Sequence, residues 1–231
     1  MNEDLDLTLY TDATELAEAA ATEAMEAISL NLLDKGIFHI AITGGTLGIE
    51  FAQRLFSKIN LAGDLVGLNI WFSDERFVAA DSVLRNSRSI HIGLRNSSVT
   101  VHEVNAPVGG LTVQEAAASY ETELHGISMN ICVLGLGPDG HVASLFPNHW
   151  EPSFTGKVVS VVGSPKPPAE RVSFSMSFIN SSAQVWILAA GEAKAVAVTQ
   201  VLAADQSIPA AHVVATDLTR LIIDIEAFFS E

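Results

Sequence analysis

The chain has a single cysteine, Cys132, in 231 residues. No internal disulfide is possible, and the composition fits a reducing compartment. Cations are scarce as well, with 12 Lys+Arg against 27 Asp+Glu and a formal charge of −15. Such a balance repels polyanions, so neither nucleic acid nor an anionic membrane surface is an expected partner, whereas a small anion is still admissible as a ligand. No stretch approaches the roughly 18 uninterrupted apolar residues that a membrane span needs. The N-terminal "MNEDLDL" is acidic and lacks the basic start and apolar core of a secretion signal, so the expected location is cytoplasmic. Repeats, linkers and low-complexity segments are missing too. With 48% hydrophobic residues the chain can bury a substantial core, and residues 1–231 are expected to form one domain.

The apolar residues recur in a simple order. "LDLTLY" alternates like a strand and leads into an Ala-rich helical stretch, opened by Asp12 and Glu15 as a capping box and stopped by Gly36. "IFHIAIT" (37–43) is a second strand, broken by Gly44-Gly45, after which Leu47, Phe51, Leu55 and Ile59 recur at a helical interval. "LNIWFS" (68–73) leads to the polar turn "DERFV", a loop with a short helix around "RNSRSIHIGL", and the strand "VTVHEV". Thr112 and Glu115 box the start of a further helix ending at Gly126, and "MNICVLGLG" is a strongly apolar strand. "KVVSVVG", "RVSFS" and "QVWILAA" read as strands, a helix is expected from Glu192 to about Leu202, and "RLIID" is a last strand before a short terminal helix. Strands alternating with helices of this length predict an α/β fold with a mostly parallel, Rossmann-like sheet covered by helices on both faces. Ligands of such sheets bind beyond the carboxyl ends of the strands, so residues just after each strand are the ones to inspect.

Five places stand out at strand ends. In "ITGGTLG", Thr43-Gly44-Gly45-Thr46 joins a strand to a helix start; glycines allow close approach of backbone N–H groups to an oxyanion, which suits phosphate, while a tight turn with an N-capping threonine fits equally well. Asp74-Glu75-Arg76 follows "LNIWFS" and is either a solvated charged loop or a place where Arg76 grips a carboxylate or phosphate, or steadies a developing oxyanion. In "GLGPDGHVASLFP", His141 can accept a proton at neutral pH and return it, with Asp139 two residues earlier to orient the ring; the alternative is a histidine capping a short helix "VASLF". Arg171 opens "RVSFS", and Lys194 lies in the first turn of the helix after "ILAAG", where a cation opposes the helix dipole unless an anion is bound. Cys132, inside an apolar strand, reads as a buried hydrophobe. His39, His91, His102, His125, His149 and His212 lack comparable settings and are assigned to structure or surface.

Taken in order, "TGGT", "DER", "GLGPDGHVASLFP", and "PKPPAERVSFS" with the later "GEAKA" resemble the 6-phosphogluconolactonase family, part of a wider group with glucosamine-6-phosphate deaminases. The resemblance implies hydrolysis of 6-phospho-D-glucono-1,5-lactone in the pentose phosphate pathway without metal or organic cofactor. It implies His141 as general base, Arg76 as a substrate-site residue with Asp74 beside it, and the phosphate at Thr43, Gly44, Gly45 and Thr46 near Arg171 and Lys194. The expected partner is the sugar phosphate lactone alone, the protein being a monomer or weak homo-oligomer. Two prolines usual in the family are replaced, by Leu47 after the glycine loop and by Ala79 after "DER", and "LRNS" (84–87) departs from the usual stretch while keeping Asn86. Rival readings are a glucosamine-6-phosphate deaminase/isomerase, whose Phe-Asn-Glu-Pro stretch is here Ser144-Leu145-Phe146-Pro147 without a glutamate, and a sugar-phosphate-sensing domain without turnover.

Overall fold

The computed structural model describes residues 5–34 and 36–229. Met1–Asp4, the start of the acidic N-terminal stretch, lie outside them. The chain begins β1 (Leu5–Tyr10), α1 (Ala13–Asp34), β2 (Phe38–Ile42), α2 (Gly45–Leu61), β3 (Leu68–Phe72), β4 (Asp74–Arg76), α3 (Arg88–Gly93), β5 (Thr100–Val101) and α4 (Val113–Glu123). It continues β6 (Ile131–Gly135), β7 (Val158–Val161), β8 (Arg171–Phe174), α5 (Met176–Asn180), β9 (Gln184–Ala189), α6 (Ala195–Leu202), β10 (Leu218–Asp224) and α7 (Ile225–Phe228).

Seven strands form one sheet in the order β1-β10-β9-β6-β2-β3-β5, and every pairing in it is parallel. Because successive side chains of a strand point to opposite faces, these strands feed two separate cores. Ile40, Ile42, Ile70, Phe72, Val133 and Leu188 pack under α1 and α2 with Leu16, Phe51, Leu55 and Ile59. Ala41, Trp71, Cys132, Leu134 and Ile187 face the other way, toward Tyr120 of α4 and Val198 of α6. Covering both faces is what permits strands as uniformly apolar as Ile131–Gly135. The strand order also switches sides between β6 and β2: β3 and β5 are added beyond β2 in one direction, β9 and β10 beyond β6 in the other, and the parallel carboxyl ends of β6 and β2 carry the His141 turn and the Gly44 loop.

Helix starts follow local chemistry. Asp12 Oδ1 accepts from Glu15 N at 2.8 Å, and the Glu15 carboxylate reaches past Asp12 to accept from Thr11 N at 3.0 Å, so the expected box closes one residue early. At α4 the box is complete between Thr112 and Glu115.

The main departure from the sequence reading is a second sheet, antiparallel, ordered β4-β8-β7. "DER" is therefore a strand instead of a polar turn, with Asp74 opposite Ser173, Glu75 opposite Val172 and Arg76 opposite Arg171. Asp74 and Glu75 are buried. Their burial is made tolerable by hydrogen bonds: Glu75 accepts from the backbone N–H groups of Arg76, Asn86 and Ser87 at 2.7–2.9 Å. Three smaller corrections follow. "VASLF" is no helix; Val142 forms isolated bridges with Leu136 and Leu145, and Ala143 takes φ +49°. Only Thr100–Val101 of "VTVHEV" pairs, with β3. The helix expected from Glu192 begins as a 3-10 turn over Glu192–Lys194 and becomes α-helical at Ala195.

Candidate active site

The first component of the site is the turn from β2 into α2. The N-cap of α2 is Gly44, and no side chain caps it. The threonine-capped alternative is thus not realised, and the first N–H groups of a 17-residue helix are left open at the carboxyl edge of the sheet. Gly44 has an unremarkable φ of −89°. Glycine is required there by proximity: a Cβ would lie 1.9 Å from Asn86 Oδ1. Asn86 is held in turn by its Nδ2, which donates to Asp74 O at 2.8 Å, so the glycine loop and β4 are locked face to face.

The second component is the turn after β6. Gly137 N donates to His141 O at 2.8 Å and Gly140 N to Gly137 O at 2.9 Å, a compact loop pinned from behind by Ala210 N donating to Gly140 O at 3.0 Å. His141 and Asp139 fold across this loop with Nδ1 and Oδ1 2.5 Å apart. A Cβ on Gly137 would sit 1.8 Å from that Nδ1, so glycine is a condition of the pairing. The carboxylate fixes the proton on Nδ1, which leaves Nε2 as the nitrogen with a free lone pair. The His141 side chain is 18% exposed and lies against the buried Phe146, ring centroids 4.6 Å apart. Burial pushes the imidazole below its usual value, Lys166 adds to this, and Asp139 and Asp74 oppose it in part. The ring is consequently neutral at physiological pH. Burial would raise the Asp139 carboxyl, but His141 and Lys166 outweigh it and bring the group to about 2.

The second sheet supplies the third component. Register puts Arg76 directly opposite Arg171, two cations where like charges destabilise a pair unless an anion lies between or beside them. Asp74 Oδ2 accepts from Ser144 Oγ at 2.7 Å and lies 4.0 Å from Arg171 Nη1. Arg76 is engaged through Nη1, donating to Leu84 O at 2.8 Å. Lys194, at the start of α6, is half-buried, and burial together with the charge of Lys166 lowers its pKa.

These parts meet. One crevice of about 200 Å³ is lined by Thr43, Gly44, Asp74, Arg76, His141 and Lys194, with Gly45, Lys166 and Arg171 completing its polar wall. Thr46 lies on an adjoining cavity of about 480 Å³ that shares Gly44, Gly45 and Lys194 with the crevice. Asp139 stands behind the imidazole. A larger cavity of about 670 Å³ between α4 and β7 contains none of these residues. No cluster of three or more metal-ligating side chains occurs among the described residues. The thiol of Cys132, fully buried, is pushed up to about 12.

Sequence reasoning passed over Lys166, whose Nζ lies 3.1 Å from Asp139 Oδ1 and 3.3 Å from His141 Nδ1. It also passed over the bridging role of Ser144 and the buried Glu75. The signal for Lys166 was present in "SPKPPAE", the one cation of a proline-rich loop, but nothing local ties it to a histidine 25 positions away.

Comparison with known proteins adds an independent line. Residues 11–222 match the family described as glucosamine-6-phosphate isomerases/6-phosphogluconolactonase. A 6-phosphogluconolactonase from Streptomyces coelicolor is 36% identical over 220 residues, covering 87% of this chain and 84% of that protein. One from Mycobacterium leprae is 30% identical over 236 residues, covering 95% of each. In fold, the chain is similar to the crystal structure of the Thermotoga maritima 6-phosphogluconolactonase, with a TM-score of 0.83 and 24% identity over 95% of this chain and 99% of that one. A monomeric glucosamine-6-phosphate deaminase shares the fold at a TM-score of 0.79 and 19% identity, covering 96% and 98%.

Proposed function

The chain belongs to the glucosamine-6-phosphate isomerase/6-phosphogluconolactonase family, and from that premise we propose that its crevice performs lactone hydrolysis with His141 as the general base. The reaction is hydrolysis of 6-phospho-D-glucono-1,5-lactone to 6-phospho-D-gluconate in the pentose phosphate pathway. A lactone is an activated ester, so three tasks suffice: deprotonate a water, stabilise the tetrahedral oxyanion, and protonate the departing ring oxygen. A neutral imidazole held through Nδ1 serves the first task at Nε2 and, once protonated, the third.

The distal phosphate sits over the open N-terminus of α2, at Thr43, Gly44, Gly45 and Thr46, with Lys194 as its counter-charge. Anchoring it there converts binding energy into orientation of the carbonyl toward His141. Arg76 keeps guanidinium donors beyond the one used by Leu84 O and faces the oxyanion from β4. Asp139 orients the ring and steadies the imidazolium that forms in the transition state. The observation that carries this reading is the shared crevice: the His141 ring and the glycine loop, nearly a hundred residues apart in sequence, border the same space of about 200 Å³.

The deaminase alternative calls for a glutamate beside the histidine, and Ser144-Leu145-Phe146-Pro147 offers none. Both the curated relatives cited above are lactonases by name. The discriminating experiment offers the protein the lactone and glucosamine 6-phosphate separately. Loss of lactone faster than its spontaneous hydrolysis, with no ammonia from the amino sugar, supports the proposal; ammonia release reverses it, and phosphate-dependent binding of either compound without turnover makes the domain a sensor.

A further inference from the structure

Arg171 is built into the protein more than it is offered to a ligand. Its Nε donates to Pro168 O at 3.2 Å, Nη2 to Lys166 O at 3.0 Å and to Pro167 O at 3.1 Å, and Nη1 to Ser144 Oγ at 3.4 Å. Four of the five N–H donors of a guanidinium are thus engaged by the chain. Three of the acceptors are consecutive carbonyls, so this buried side chain fixes the path of one loop, and the single cation of that loop is Lys166. Lys166 leaves the loop toward His141. Its Nζ stands 3.1 Å from Asp139 Oδ1, 3.3 Å from His141 Nδ1 and 5.9 Å from the centre of the Phe146 ring against which the imidazole packs.

We propose that Lys166 is a positioning residue for His141: carried by a loop that Arg171 braces, its ammonium holds the Asp139 carboxylate against imidazole Nδ1 and keeps a fixed positive charge beside the ring. The proposal rests on the reading of His141 as the base. Two effects follow from the placement. The carboxylate is shared between two donors, so the ring is oriented without receiving the full pull of an unshared anion toward the imidazolium. The ammonium itself opposes a second proton on the ring. Around His141 the charged groups are Asp139 on its own turn, Asp74 on β4, Lys166 on the braced loop, and Arg76, Arg171 and Lys194 on the walls of the crevice. Asp139 and Asp74 favour the imidazolium, Lys166 opposes it, and burial decides the balance toward the neutral ring. Removing Lys166 takes away the ammonium that stands 3.3 Å from Nδ1 while leaving both carboxylates and the burial in place.

The test uses the full chain with Lys166→Met, whose side chain is 40% exposed in the wild type and so is replaceable without opening the core. The titration of the His141 imidazole is followed by NMR, its resonance identified by its loss in His141→Gln, beside the pH profile of kcat/KM for the lactone. The expected result is a His141 titration displaced upward by about one pH unit, a distance-appropriate effect of a partly screened charge. The acid limb of the profile moves with it, KM at the plateau stays within about twofold, and Lys166→Arg returns both curves to the wild-type position. An unchanged titration overturns the proposal, and if KM rises at the same time, Lys166 is a substrate ligand instead. Absence of lactone hydrolysis in the wild type would refute the functional reading, while the NMR titration would still decide the placement of Lys166.

Discussion

Gly137→Ala displaces the proposed base without altering any acid, base or charge. The backbone of Gly137 is not among the positive-φ residues, so alanine is compatible with its conformation. The added Cβ, however, falls 1.8 Å from His141 Nδ1, 2.1 Å from Cε1 and 2.5 Å from Asp139 Oδ1. A carbon–nitrogen contact settles near 3.5 Å, so the ring must withdraw by about 1.7 Å or rotate out of its bond to Asp139. Misplacing a catalytic group by about 1 Å costs on the order of 10²-fold, and removing a general base altogether costs about 10²–10⁴-fold. Gly137→Ala is therefore expected to lower kcat by about 10²-fold or more. KM should change little, because the glycine loop and Lys194 are untouched. Crowding of this kind destabilises by about 1–3 kcal/mol, a cost visible in thermal melting but not sufficient to unfold the chain. A folded Gly137→Ala protein with wild-type kcat would refute the claim that the Asp139–His141 pairing across this turn is needed for turnover.

Other expectations follow from the same geometry. Because burial lowers the His141 pKa, kcat/KM for the lactone should be flat through neutrality and fall only below about pH 6.5, as the ring gains its proton; Asp139, at about 2, stays ionised throughout that fall, and a limb centred above pH 7 would contradict the assignment. Lys194→Ala should raise KM by roughly 10-fold or more, the worth of a charge-assisted hydrogen bond, with a much smaller change in kcat; steady-state kinetics separates the two. Tyr120→Phe should destabilise by about 1–3 kcal/mol in denaturant melts, since Tyr120 Oη accepts from Phe72 N at 2.9 Å and donates to Phe72 O at 3.1 Å in the core behind β3. Cys132, with its thiol at about 12, should resist iodoacetamide in the native state and react only on unfolding, as mass spectrometry can establish.

Much of this architecture was legible because each layer has its own periodicity. The seven-stranded sheet follows from apolar runs such as "IFHIAIT" and "MNICVLG" spaced by helices with recognisable starts, and once the sheet is parallel its carboxyl edge is where Gly44 and His141 must emerge. The second sheet was not legible. "DER" carries three charges and reads as solvated, and only the tertiary structure supplies the Asn86, Ser87 and Arg76 N–H groups that make a buried Glu75 tolerable. "VASLF" has helical content, yet Val142 is drawn into bridges on either side and Ala143 into a left-handed conformation. Lys166 belongs to the same class of omission: its contact with His141 depends on carbonyls gripped by Arg171, a long-range relation with no local pattern.

The central claim is tested most directly by following 6-phospho-D-glucono-1,5-lactone in parallel samples containing buffer alone, the wild-type chain, or His141→Ala. The account predicts rapid loss with the wild type and a kcat lower by about 10²–10⁴-fold in the variant. Wild-type decay no faster than buffer, or a folded His141→Ala protein that keeps pace with the wild type, would contradict it.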